Sequence, residues 1–134
     1  MNRFIIPLFM LGACASNAAD VRLVNDHPKD SAFWLSYELD GEAFTIVNEA
    51  RIHSGQEVLY ENAIVGDSDD GQLDAIYLRC EVTWATDGEP AVAFGIEAGA
   101  FDDVRLTLSP DRTLVVVYSQ QGGEPTLDYV WSDK

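Results

Sequence analysis

The stretch VRLTLSPDRTLVVVYSQQGGEPTLDYVW, residues 104–131, decides the fold class, because apolar residues recur at alternate positions along most of it. Alternation with a period of two indicates β-strands that bury one face. The pair Gly122-Gly123 suits a two-residue hairpin turn, since glycine adopts the positive φ angles that such turns need. With that turn, three apolar pairs face each other across the hairpin: Tyr118 with Leu127, Val116 with Tyr129, and Leu114 with Trp131.

A second turn precedes this hairpin. A three-residue loop at Pro110–Arg112 would place Leu108 opposite Leu114, so that both turns leave their apolar residues on one face. We therefore predict a three-stranded meander in the C-terminal third of the chain. The other face of the meander is partly apolar as well, which favours a central position in a sandwich or a small barrel. Its apolar residues are Val115, Val117 and Val130.

Outward from this stretch, the remaining chain shows no helix signal and no internal repeat. A length of 134 residues suits one domain with a hydrophobic core. We predict a single all-β domain of residues 20–134, an antiparallel β-sandwich or small barrel of about eight or nine strands. The predicted strands are Val21–Asn25, Phe33–Leu39, Ala43–Asn48, Glu57–Glu61, Asp74–Ala85, Ala91–Ala98, Val104–Ser109, Thr113–Ser119 and Leu127–Trp131.

Residues 1–19 are predicted to be an export signal. Arg3 is followed by the apolar run Phe4–Leu11, which is too short to span a bilayer as a helix and fits the core of a signal peptide. Small residues at Ser16 and Ala18 would allow ordinary cleavage before Ala19.

A second reading of the same segment rests on Leu11-Gly12-Ala13-Cys14, which resembles the lipobox of bacterial lipoproteins. The resemblance implies that Cys14 becomes the lipidated first residue. It also implies release from the inner membrane, because Ala15 is not an aspartate. Both readings predict export, either to the periplasm or as an outer-membrane lipoprotein. Cys80 then has no cysteine partner, and its place among alternating apolar residues predicts a buried, unreactive thiol.

The charge balance restricts the partners. The chain has 23 acidic and 8 basic residues and a formal net charge of −15, which disfavours nucleic acids and anionic lipid surfaces. Between Glu57 and Asp103 the only base is Arg79. We expect a basic envelope or secreted protein as partner, and contact with a membrane only through a lipid on Cys14. The predicted binding surface comprises Trp34, Glu57, Glu61, Asp87 and Glu89.

One acidic loop invites a metal. In VGDSDDGQLDAIYL, residues 65–78, four aspartates and Gly71 precede an apolar strand. The loop resembles the aspartate-rich calcium loops of integrin-type propeller repeats, although it is one residue shorter and has no second copy. Calcium binding and a plain solvated turn are the alternatives, and no other cofactor is expected. The candidate ligands are Asp67, Asp69, Asp70 and Asp74.

No catalytic motif is present, so we predict that the protein is not an enzyme. His27 and His53 are far apart in the sequence; His27 is expected to be exposed beside Pro28, and His53 to lie in the loop before Gly55. Ser54 next to His53 is adjacency in sequence and does not make a triad.

An aromatic side chain offers a different site. In FWLSYEL, residues 33–39, the alternation leaves Trp34 on the face opposite the apolar one. An exposed Trp34 would be a stacking platform for a carbohydrate or a peptide, whereas a covered one would pack under a loop.

The function that we predict is a non-catalytic, exported, acidic binding protein of the bacterial cell envelope. An inhibitor-like or immunity-like role toward a basic protein is the first expectation, because opposite charges speed association. A calcium-assisted or carbohydrate-binding accessory β-domain is the alternative.

Overall fold

The computed structural model describes residues 18–66, 75–84 and 104–134, and every regular element in these ranges is a β-strand. None of the segments described forms a helix that is long and apolar enough to cross a membrane. The strands are β1 (Ala18–Asn25), β2 (Ser31–Leu39), β3 (Glu42–Ile52), β4 (Glu57–Val65), β5 (Ala75–Trp84), β6 (Val104–Thr107), β7 (Arg112–Gln121) and β8 (Glu124–Asp133).

These strands form two four-stranded sheets that pack face to face as a β-sandwich. The first sheet has the order β4-β1-β7-β8 and the second has the order β3-β2-β5-β6. The all-β prediction is confirmed, and of the two architectures left open the sandwich is the one observed. Most neighbouring strands are antiparallel, but β1 and β7 run parallel in the middle of the first sheet.

The β7–β8 hairpin has the predicted register. Both turn glycines have positive φ, at 61° for Gly122 and 84° for Gly123, as a primed hairpin turn requires. All three apolar pairs predicted across the hairpin are observed, and β7 is a central strand as predicted.

The prediction of a three-stranded meander is wrong. The turn after β6 forms where expected and is closed by a 3.0 Å bond from the Arg112 amide to the Ser109 carbonyl. However, β6 pairs with β5 in the second sheet, and the free side of β7 is taken by β1, with Val21 opposite Leu114. Alternation indicates which face of a strand is buried, and it leaves open which strand lies beside it.

Strand β3 is longer than predicted because it continues through a β-bulge. Its register with β2 shifts on both sides of Leu35, and Glu49 has a positive φ of 57°. A bulge inserts an extra residue and hides the period-two signal, so the predicted strand ended at Asn48. The predicted strand Ala91–Ala98 lies outside the described residues.

The core lies between the sheets. Strand β2 contributes four alternate side chains to it, as predicted: Phe33, Leu35, Tyr37 and Leu39. Cys80 on β5 is fully buried, and burial raises the pKa of its thiol to about 12. A thiol in this setting stays protonated and unreactive, as predicted.

The first strand begins at Ala18. Ala18 and Ala19 are buried and lie opposite Val65 and Ile64 of β4. Cleavage before Ala19 would therefore remove Ala18, which is buried and paired with Val65.

Candidate ligand-binding face

The outer face of the second sheet carries polar and aromatic side chains from three neighbouring strands. Alternation along β2 turns Trp34, Ser36 and Glu38 away from the core. The register with β5 places these three opposite Glu81, Arg79 and Tyr77, and Arg105 of β6 lies opposite Tyr77. We call this the aromatic–arginine face, and its residues are Trp34, Ser36, Glu38, Tyr77, Arg79, Glu81 and Arg105.

An open cleft of about 220 Å³ lies on this face. It occupies the region where β2 neighbours both β3 and β5, and Trp34 lies on the same face one alternate position before Ser36. The cleft is lined by Ser36, Tyr37, Glu38, Ala43, Tyr77 and Arg79. The lining therefore includes hydroxyl, carboxylate, phenol and guanidinium groups.

Three of the four charged side chains of the face contact a neighbouring side chain. The Arg79 Nε atom lies 3.5 Å from the Glu81 Oε2 atom, and both side chains remain roughly half exposed. The Arg105 guanidinium lies 5.0 Å from the centre of the Tyr77 ring, in cation–π geometry. Tyr77 itself is 41% exposed. These contacts orient the charged groups while leaving them in contact with solvent.

Those members of the predicted binding surface that the structure describes lie on different sheets. Trp34 lies on β2 of the second sheet, whereas Glu57 and Glu61 lie on β4 of the first sheet. The Glu57 Oε2 atom is bonded to Arg22 Nη1 at 2.6 Å, so part of its charge is neutralised within the protein. The remaining members, Asp87 and Glu89, lie outside the described residues, as does Cys14.

The candidate calcium ligands Asp67, Asp69, Asp70 and Asp74 also lie outside the described residues. Strand β4 ends at Val65 in the first sheet and β5 begins at Ala75 in the second, so the acidic segment connects the two sheets. Within residues 18–66, 75–84 and 104–134, no group of three or more His, Cys, Asp or Glu side chains is placed to hold a metal.

Both histidines lie at one end of the sandwich, where the β1–β2 and β3–β4 connections meet. Asn25 organises this end from a fully buried position. Its side-chain amide donates to the Ile52 carbonyl at 2.7 Å and to the Lys29 carbonyl at 3.0 Å. Its Oδ1 atom accepts from the His27 amide at 3.1 Å. The two connections are therefore joined through one side chain.

The expectation that His27 is exposed is wrong, because only 3% of the residue is accessible. Its ring stacks on Tyr118, with centroids 4.8 Å apart and an interplanar angle of 15°. Burial, helped by the nearby Lys29 charge, lowers the pKa of His27. An Asn two residues before His27 is a signal for an Asx turn, and this was the feature that could have predicted the inward bend.

His53 lies before Gly55 as expected and contacts Asp30. The His53 Nδ1 and Asp30 Oδ2 atoms are 2.9 Å apart, and the Ser54 amide donates to Asp30 Oδ1, also at 2.9 Å. These two bonds, the Ser54 one first, lower the pKa of Asp30. The Ser54 hydroxyl donates to the His27 carbonyl at 2.6 Å, so its proton is directed at the backbone.

No protein-family model matches the chain, and no curated protein matches it at a significant level. Among solved structures, the chain is similar to the one described as "Crystal structure of the human-specific toxin intermedilysin". The two share 9% sequence identity with a TM-score of 0.43, over 86% of this chain and 23% of the toxin chain. A likeness of this size gives no information about activity or ligand.

Proposed function

We propose that this protein is a non-catalytic binding protein exported to the bacterial cell envelope, and that it binds a carbohydrate on the aromatic–arginine face. The observation that carries the proposal is the 220 Å³ cleft lined by Ser36, Glu38, Tyr77 and Arg79, with Trp34 on the same face. A sugar ring buries its apolar side against an aromatic ring, while its hydroxyls bond to charged and polar groups at the edge. This face supplies both kinds of group next to each other.

Titration of the purified protein with a panel of oligosaccharides, followed by tryptophan fluorescence and NMR, tests the proposal. We expect binding to be lost in Trp34→Ala and retained in Val130→Ala, which changes an exposed residue on the other sheet. Absence of binding to every saccharide in the panel would contradict the proposal.

A basic protein partner, in an inhibitor-like or immunity-like complex, is the second candidate. It is supported by the net charge of −15 and by the exposure of Glu57 and Glu61 on β4, an edge strand of the first sheet. The exposed Val58 and Leu59 on the same strand provide apolar contact area.

The test is a pull-down from the organism's own envelope extract at low and at high salt. A basic protein retained only at low salt supports this candidate, because screening weakens the attraction between opposite charges. Recovery of no basic protein at low salt counts against it. The double variant Glu57→Gln/Glu61→Gln should weaken the capture if β4 is the contact strand.

Export and lipidation complete the proposal. If Cys14 is lipidated, the lipid is attached four residues before Ala18 in the sequence, and the domain is held close to the membrane surface. Mass spectrometry of the mature N-terminus distinguishes the two processing routes. A chain that begins with an unmodified Ala19 would rule out the lipid anchor.

Calcium binding by the segment that contains Asp67, Asp69, Asp70 and Asp74 is kept as a separate proposal. Carboxylate oxygens are the ligands that calcium prefers, and four carboxylates occur within eight residues. Calorimetric titration with calcium is the test, and the absence of heat at millimolar calcium would contradict this proposal.

A further inference from the structure

We propose that the ligand of the aromatic–arginine face is an acidic saccharide, whose carboxylate is bound by Arg79 and Arg105. This inference rests on the carbohydrate function proposed above and specifies the class of sugar. The chain has few basic residues, namely 8 against 23 acidic ones.

Two of those bases are neighbours on this face. Tyr77 of β5 lies opposite Arg105 of β6, so Arg79, two residues along β5, is the diagonal neighbour of Arg105 on the same side of the sheet. Diagonal positions in an antiparallel pair are roughly 7–8 Å apart, which is within reach of two long side chains that converge on one group. In a protein with a net charge of −15, two adjacent arginines provide a local group of charged donors for an anion.

The contacts of the two arginines prepare them to bind a planar acidic group. Glu81 holds Arg79 through its Nε edge, at 3.5 Å, and the Tyr77 ring supports Arg105 at 5.0 Å. A guanidinium presents several donors in a fixed fork that matches a carboxylate. Because the side chains are held before the ligand arrives, less rotamer entropy is lost on binding.

The acidic residues of the face provide acceptors for sugar hydroxyls. Glu38 and Glu81 lie on the same face as the arginines, so the four charged side chains sum to zero. Carboxylate oxygens accept hydrogen bonds from hydroxyl groups. An acidic sugar can therefore place its carboxylate on the two arginines and its hydroxyls on the two glutamates.

The experiment compares matched ligands by calorimetry on the purified protein. The ligands are oligomers of galacturonic acid and of hyaluronan, each paired with its methyl ester, which keeps the sugar rings and removes the charge. We expect the acids to bind at least tenfold more tightly than their esters, and this preference to shrink as salt is added.

Three variants locate the site. Arg79→Gln and Arg105→Gln should each reduce affinity for the acids about tenfold, as expected for the loss of one charge-assisted contact, and reduce affinity for the esters by much less. Arg112→Gln, on β7 of the other sheet, changes the net charge equally and should leave the preference intact. Unchanged thermal melting in each variant shows that the fold is retained.

The outcomes separate the two proposals. Equal affinity for acids and esters, with loss of binding in Trp34→Ala, would overturn the acidic class and keep the carbohydrate function. If Arg112→Gln also lost the preference for acids over esters, the preference would be a general effect of net charge. That result would also overturn the inference. Binding of neither the acids nor the esters would overturn the inference, and the oligosaccharide panel then decides the carbohydrate function separately.

Discussion

The ring of His27 lies against the ring of Tyr118 at 4.8 Å, inside the end of the sandwich where two connections between the sheets meet. Tyr118 is also in edge contact with Phe33 of the second sheet, at 5.7 Å. An ionisable ring is thus part of the aromatic packing between the two sheets, and the stability of this end depends on its protonation state.

Stability should decrease as the pH falls, and His27 should be one cause. Its pKa is lowered in the folded protein, so the unfolded chain takes up the proton first. The contribution of neutral His27 is therefore complete above its ordinary pKa of 6.5 and is lost as the pH falls through the lower folded value. In His27→Phe, which keeps an aromatic ring and cannot titrate, the free energy of unfolding should fall less between pH 7.5 and 5.5.

Urea denaturation of both proteins at a series of pH values measures this difference. His53→Gln is the matched control, because it removes the other histidine from the exposed side of the same end. Equal pH dependence in the wild type and in His27→Phe would show that burial of His27 does not contribute to acid sensitivity.

Asn25→Ala should be strongly destabilising. The side chain is fully buried and makes three hydrogen bonds. Without it, the Ile52 carbonyl loses the donor that bonds to it at 2.7 Å. The loss of a buried polar partner predicts a decrease of about 3 kcal/mol in the free energy of unfolding. Asn48→Ala, at an exposed position of β3, is the control and should change stability by less than about 0.5 kcal/mol. A similarly small effect in Asn25→Ala would mean that the two connections are held together by other contacts.

The turn between β7 and β8 should discriminate between residue types. Gly122 has a φ of 61° and nothing near its Cβ position, so a substitution there meets strain in the backbone and no steric clash. Gly122→Asn should be close to neutral, because asparagine tolerates this conformation, whereas Gly122→Val should cost about 1–3 kcal/mol. Thermal denaturation of the pair is the measurement, and equal losses in both variants would indicate a turn of another type.

The Cys80 thiol should not react in the folded protein. With a pKa of about 12 and no accessible surface, almost none of it is thiolate at pH 8. Addition of a disulfide reagent should give no colour from Cys80 until urea unfolds the chain. The midpoint of labelling against urea should coincide with the midpoint followed by fluorescence. Rapid labelling in buffer alone would require an opening of the second sheet at β5.

The local parts of the fold could be predicted from the sequence, and the long-range parts could not. The β7–β8 register follows from Gly122-Gly123 and the residues beside it. The strand on the other side of β7 could not be identified in the same way. Both β1 and β6 have apolar residues at alternate positions, so either strand could pair with β7. The buried position of His27 likewise depends on a hydrogen bond from Asn25 to Ile52, and this contact joins distant parts of the chain.

The candidate site, like the fold, could be predicted only in part. Alternation in β2 placed Trp34 on the outer face, and the structure agrees. Its neighbours Glu81 and Arg79 come from β5, whose register with β2 is set by the packing of both strands into the core. The sequence showed Arg79 as the single base in an acidic region, but it could not show that Arg105 lies diagonally beside it.

The parallel pairing of β1 with β7 also limits when the protein can fold. Residues 26–111 lie between these partner strands, so the middle of the first sheet cannot close until β7 is available. Non-local pairing of this kind slows folding. A nascent chain with this topology can pair β1 with β4, but the other edge of β1 stays without its partner strand until β7 has been synthesised.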